Sequence, residues 1–108
     1  MSFDPANLPA PLSQYFAAND RAKIAPLFAT DAVVLDEGQV HRGREQIEAW
    51  LESVESRYHP RYEIAEASQD GARTIVTFKV SGTFPGSPVT LRQALVSEGG
   101  KIQSLETL

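Results

Sequence analysis

The chain reads as a single α+β domain in which three helices precede and cover a strongly curved, mostly antiparallel sheet. Apolar residues recur at helical spacing through the first half. Beyond Tyr62 they alternate at the period of a strand, and turns containing Gly or Pro cut that stretch into four runs. Helices followed by a meander of strands favour an antiparallel sheet over βαβ units.

Residues 1–7 form a loose lead-in. Leu8, Leu12, Tyr15 and Phe16 recur at helical spacing, with Pro9 and Pro11 tolerable only in a first turn. Asn19-Asp20 breaks the run. Asp20 then caps a second short helix that ends near residue 28, with Pro26 inside it as a distortion. Residues 32–35 make a brief buried strand, Glu37-Gly38 turns the chain, and residues 39–42 return as a second strand. From residue 44 to about 56, Ile47, Trp50, Leu51 and Val54 fall at i, i+3, i+4 and i+7, the clearest helix in the chain. Strands follow over residues 62–67 and 74–83, separated by the Asp70-Gly71 turn. Residues 84–88 (FPGSP) form a turn that no strand could run through. The last two strands, residues 89–97 and 101–108, flank a Gly99-Gly100 hairpin. These strands are apolar on both faces, with Val89, Leu91 and Leu95 expected outside. That points to a homodimer joined through the outer sheet face.

Composition narrows the function classes. The 108 residues suit one domain with one core, and 42% hydrophobic with 22% charged residues is ordinary globular chemistry. Ten basic against fourteen acidic side chains give a net charge of −4, which argues against a nucleic-acid binder. Without cysteine there is neither a disulfide framework nor a thiolate metal site. No run approaches a membrane span, and the N-terminus lacks the charged and apolar regions of a signal peptide, so a cytoplasmic protein is expected. His41 and His59 fit no ligand spacing, and no Gly-rich phosphate loop or nucleophile elbow occurs. No metal and no cofactor are therefore expected.

The pattern of two helices, Leu-Phe-Ala-x-Asp-Ala-Val at Leu27, an Asp-Glu-Gly turn, Arg-Gly-Arg-Glu-Gln-Ile at Arg42 and a four-strand meander with Gly-Lys-Ile in the last hairpin resembles the nuclear transport factor 2-like superfamily. Its small polyketide cyclase and ketosteroid isomerase-like members are the nearest in pattern. The resemblance runs from about residue 8 to 108 and implies a cone-shaped α+β barrel. It is diagnostic of fold rather than reaction, because one scaffold hosts isomerases, cyclases, lyases and non-catalytic binders. It also implies that Asp36 matches the proton-shuttling base of the isomerases and that Tyr15 lies near their oxyanion-donating tyrosine. Where the isomerases keep a protonated aspartate this chain reads Arg92, and their supporting tyrosine positions read Phe28 and Leu51. Steroid isomerisation by that machinery is therefore not expected.

The candidate site follows. Asp36 is either a general base in an apolar cone or a cap on its own turn. Arg92 either pairs with Asp36, the favoured reading because an unpaired buried charge is costly, or points outward at a dimer contact, or holds an anionic group or stabilises an enolate oxygen. Tyr15, Trp50 and Phe78 are either core or pocket wall. Asp36, Trp50, Phe78 and Arg92 are expected to border one cavity between the long helix and the sheet. The function expected is a cofactor-free isomerase, cyclase or lyase that moves a proton on an apolar carbonyl compound. The alternatives are a dimeric module that holds a small apolar ligand without turnover, and a structural dimer with a filled cone.

Overall fold

The computed structural model describes residues 2–3 and 8–108. Of the expected lead-in, Ser2–Phe3 (β1) pair with Ala67 and Ser68 as a short strand, and the rest lies outside the described residues. Helix α1, Leu12–Ala17, begins directly after Pro11, whose missing N–H costs nothing at a helix start. It buries Leu12, Tyr15 and Phe16.

The second expected helix is absent. In its place stand two 3-10 turns, Arg21–Lys23 and Ala25–Leu27. Asp20 caps the first, its carboxylate accepting the Ala22 N–H at 3.0 Å. Pro26 has no N–H to continue an α-helical ladder, so the segment stays in single tight turns. The described residues thus hold two α-helices rather than three.

Strand β2 runs Phe28–Asp36, longer than the apolar run at its centre suggested, and β3 runs Gln39–Arg42. Glu37 and Gly38 join them with φ of 52° and 74°, the geometry of a hairpin turn with two left-handed residues. Helix α2, Gly43–Tyr58, follows and buries Ile47, Trp50 and Leu51, with Val54 partly covered, the stripe its spacing predicted. The Gln46 side chain reaches back to accept the Arg42 N–H at 2.8 Å. At the other end His59 turns left-handed at φ 44°, and Pro60 prevents continuation.

The meander is β4 (Arg61–Asp70), β5 (Arg73–Ser81), β6 (Val89–Glu98) and β7 (Lys101–Thr107). Sheet order is β1-β4-β5-β6-β7-β2-β3, antiparallel throughout except for the parallel β2–β7 pair. Register breaks at Ile64/Glu66 and Val96/Ser97 bend the strands, and the sheet curves around the helices. It remains open rather than closing into a barrel, because β1 and β3 are unjoined edges. No helix among the described residues is long and apolar enough to cross a membrane.

Alternation along β6 decides which side chains face the helices. Leu95 is fully buried in the core, and Val89, Leu91 and Gln93 line a cavity on the same side. The three residues that suggested an apolar outer face therefore point inward. Thr90, Arg92, Ala94 and Val96 take the outer face.

Candidate functional site

A cavity of about 300 Å³ opens between the C-terminal half of α2, the β2–β3 turn and the β5–β6 loop. Each element brings a reason to be there. The last residue of β2 is Asp36, so its carboxylate stands where strand gives way to turn. Trp50 comes from the buried stripe of α2, and its indole Nε1 donates to Asp36 Oδ2 at 3.1 Å. That bond leaves the second carboxylate oxygen free to face the cavity. Val54 and Tyr58 extend the helical wall, while Val80, Phe84, Val89 and Leu91 supply the sheet side. The exposed Glu37 and Pro85 mark the mouth, and Gln93 and Val80 are among its buried lining residues.

A buried polar layer lies behind this lining. Arg21, only 1% exposed, lays its guanidinium over the rings of Tyr15 and Tyr62, 4.7 and 4.2 Å from their centroids. Its Nη2 donates to the carbonyls of Tyr15 and Ala18, and its own backbone N–H donates to Glu55 Oε1 at 2.6 Å. Tyr62 lines the cavity; Tyr15 sits one layer beneath. The Tyr15 hydroxyl faces Gln93 and Tyr62 but completes no hydrogen bond with either in ordinary geometry. Gln93 Nε2 donates to Thr107 Oγ1 at 3.1 Å, while its Oε1 is buried without a partner.

Burial first, and the neighbouring Tyr62 next, hold the Tyr15 hydroxyl well above the ordinary tyrosine range, against the pull of Arg21. Burial raises Tyr62 as well, again opposed by Arg21. Both phenols are therefore protonated donors at neutral pH. The floor of the cavity thus combines a hydroxyl donor with a fixed positive charge behind it, and the mouth carries two carboxylates.

The expected site residues separate into three places. Asp36 and Trp50 lie in the cavity wall and touch each other. Tyr15 and Phe78 are fully buried, Phe78 packing its ring 5.0 Å from Phe16 and 4.9 Å from Tyr62, so both support the lining instead of forming it. Arg92 is exposed on the opposite sheet face beside Thr77, and no ion pair joins it to Asp36. The reason is register: a one-residue offset on a strand reverses the face, and the inward residue is Gln93. Gln93, Tyr62 and Arg21 were missed by sequence reading. Tyr62 had a visible signal in its place at the head of a strand. Arg21, just after Asn19-Asp20, looks like any solvated charge. Among the described residues no cluster of three or more His, Asp or Glu side chains could hold a metal ion.

A second, open groove of about 330 Å³ shares Asp36, Trp50 and Tyr58 and continues past His41 and Arg57. The His41 ring stacks on Trp50 at 5.8 Å. Trp50 is therefore a partition between the two spaces, clamped by His41 on one side and tied to Asp36 at its edge.

Comparison with known proteins matches the model of a SnoaL-like domain to residues 12–104. A protein from Sinorhizobium meliloti described as a candidate polyketide cyclase is 38% identical, with a TM-score of 0.87 over 98% of this chain and 100% of that one. A Catenulispora acidiphila protein with a ketosteroid isomerase-like fold, solved in complex with trimethylamine, is 20% identical with a TM-score of 0.75, covering 94% and 86% of the two chains. A protein of unknown function with the nuclear transport factor 2-like fold, from Cytophaga hutchinsonii, is 12% identical with a TM-score of 0.67, covering 88% and 80%. No curated protein matches the chain.

Proposed function

Because the chain belongs to the SnoaL-like domain family, we propose that it is a cofactor-free enzyme that moves a proton next to the carbonyl of a small, largely apolar compound. Asp36 is the base. The observation that carries this reading is its carboxylate in the wall of an apolar cavity, oriented by the Trp50 indole N–H with one oxygen left free. A base held by one donor and open on the other side meets the geometric requirement for abstracting a proton from a bound molecule.

Charge developing on the carbonyl oxygen needs a donor that does not reorganise. Tyr62 is the phenol that reaches the cavity, and its proton is retained at neutral pH. Arg21, packed behind it, supplies a permanent positive field without entering the cavity. This arrangement takes over the part that Arg92 was expected to play. The name of the Sinorhizobium meliloti protein supports a cyclisation initiated by such a proton abstraction. An open cavity of about 300 Å³ favours a ligand-holding protein over a structural domain with a filled interior.

The test is exchange of α-protons for deuterium in a panel of cyclic and β-dicarbonyl ketones, followed by NMR. Asp36→Asn keeps the volume and an acceptor for Trp50 but removes the base. Exchange by the wild type, cut about 100-fold or more in the variant, is the expected outcome. A variant that exchanges as fast as wild type while melting several degrees lower removes Asp36 from catalysis and makes it a structural partner of Trp50.

A further inference from the structure

Cavity and groove share Asp36, Glu37, Trp50, Val54 and Tyr58, and the Trp50 indole is the wall between them. A tryptophan ring turns about its outer bond with a broad, roughly two-fold torsion, so packing has to select the orientation that aims Nε1 at Asp36. Phe28 meets the indole only edge-on, with ring centres 6.5 Å apart. Among the described residues the one ring stacked on the indole is that of His41, at 5.8 Å with the planes 30° apart.

Strand register explains how a histidine on an edge strand reaches the site. His41 stands opposite Val34, and directly opposed residues share a face. It therefore turns inward with the fully buried Val34, while the adjacent Val40 is exposed. The imidazole is half-buried and, among the described residues, makes no side-chain hydrogen bond or ion pair. Its hold on Trp50 is a ring contact only. The groove beyond is open and about 330 Å³ in volume. Without the His41 ring the indole has room to swing into it, which turns Nε1 away from Asp36 and merges the two spaces.

We infer that His41 is a positioning residue for the base. Stacked on Trp50, it holds the indole N–H on Asp36 Oδ2 and so keeps the other carboxylate oxygen turned to the cavity. It acts through the indole. A ring is what the position requires, because a flat face covers the indole whereas a short side chain leaves the groove side empty. The inference rests on the proposed function for the role of Asp36 as base. The setting of that carboxylate by His41 is open to measurement without any substrate.

Trp50 is the only tryptophan in the chain, so its indole N–H gives one side-chain resonance by NMR. His41→Thr removes the ring and keeps a residue that suits a strand, and His41→Phe restores a ring. In His41→Thr the indole proton should exchange with deuterated solvent at least about tenfold faster than in wild type, while the backbone amides of α2 keep their protection. In His41→Phe its exchange should stay within about twofold of wild type. In the ketone exchange assay His41→Thr should lower kcat about tenfold with KM within about twofold, and His41→Phe should restore it. Added to Trp50→Phe, which lacks the N–H, His41→Thr should lower kcat no further. An indole proton as protected in His41→Thr as in wild type overturns the inference, and so does an unaltered kcat. A general loss of α2 amide protection, a further loss on the Trp50→Phe background, or a loss that His41→Phe leaves in place overturns it too. A ketone panel that wild type does not exchange removes the proposed function, and the indole proton then decides by itself whether His41 sets Asp36.

Discussion

Trp50 joins the two chemistries of the site at the level of single residues. Its ring closes the cavity, stacks on His41 and meets Phe28 edge-on at 6.5 Å, while its N–H fixes Asp36. A carboxylate with one oxygen pinned has fewer rotamers to lose when it engages a substrate. Its sequence neighbour Glu37 shows the opposite economy. A non-glycine residue at φ 52° carries strain that Asn tolerates better, and Asn-Gly is the preferred pair for this turn. Glu37→Asn is therefore expected to raise unfolding stability by about 1 kcal/mol in urea titration. A variant no more stable than wild type would mean that the Glu37 side chain itself stabilises the fold.

Among the elements, the crossing of β5 over the end of α2 shapes the mouth. At Gly82 an added Cβ would stand 2.2 Å from the Tyr58 carbonyl oxygen, with the His59 carbonyl and the Phe84 ring close behind. Only glycine allows that approach. It lets Thr83 N–H donate to the Tyr58 carbonyl at 2.8 Å and brings Phe84 edge-on to Tyr58, ring centres 5.7 Å apart. Gly82→Ala must push strand and helix apart, at a cost of about 1–3 kcal/mol in a urea melt. Ligand binding at the mouth should weaken with it. Unchanged stability would show that the loop yields freely and that the contact does not hold the mouth. The helix α2 and the hairpin at Glu37-Gly38 were legible because each is encoded within a few adjacent residues. The 3-10 turns were not, because helical spacing cannot distinguish a short distorted helix from consecutive tight turns around Pro26.

For the whole molecule, the buried tyrosines couple folding to pH. Both Tyr15 and Tyr62 have raised affinities for their protons, chiefly because burial penalises the phenolate, with Arg21 opposing in each case. Below pH 10 folded and unfolded chains both keep these protons, and the tyrosines' contribution is fully present. Above it the unfolded chain releases protons that the folded one retains, so stability falls as pH rises further. Urea midpoints are expected to drop between pH 8 and about pH 11, and Tyr15→Phe should flatten that slope. An identical slope in Tyr15→Phe would assign the alkaline loss to other groups. The same buried layer carries the positive field at the cavity floor, so one cluster serves both stability and the site.

Read along the chain, neighbouring residues already specify the strands of the meander, the long helix and its buried stripe, the turn before β3 and the position of Asp36 at the end of β2. These follow from local rules, because periodicity and turn chemistry act over a handful of neighbouring residues. The tertiary structure alone decided which face each strand presents, and hence that Gln93 rather than Arg92 enters the cavity and that Leu95 is core. It alone placed Arg21, from a short turn near the N-terminus, behind two tyrosines that lie 47 positions apart in the chain. It also left the sheet open. Register, burial of a charge and closure are set by contacts between residues distant in sequence, and no window of neighbouring residues contains that information.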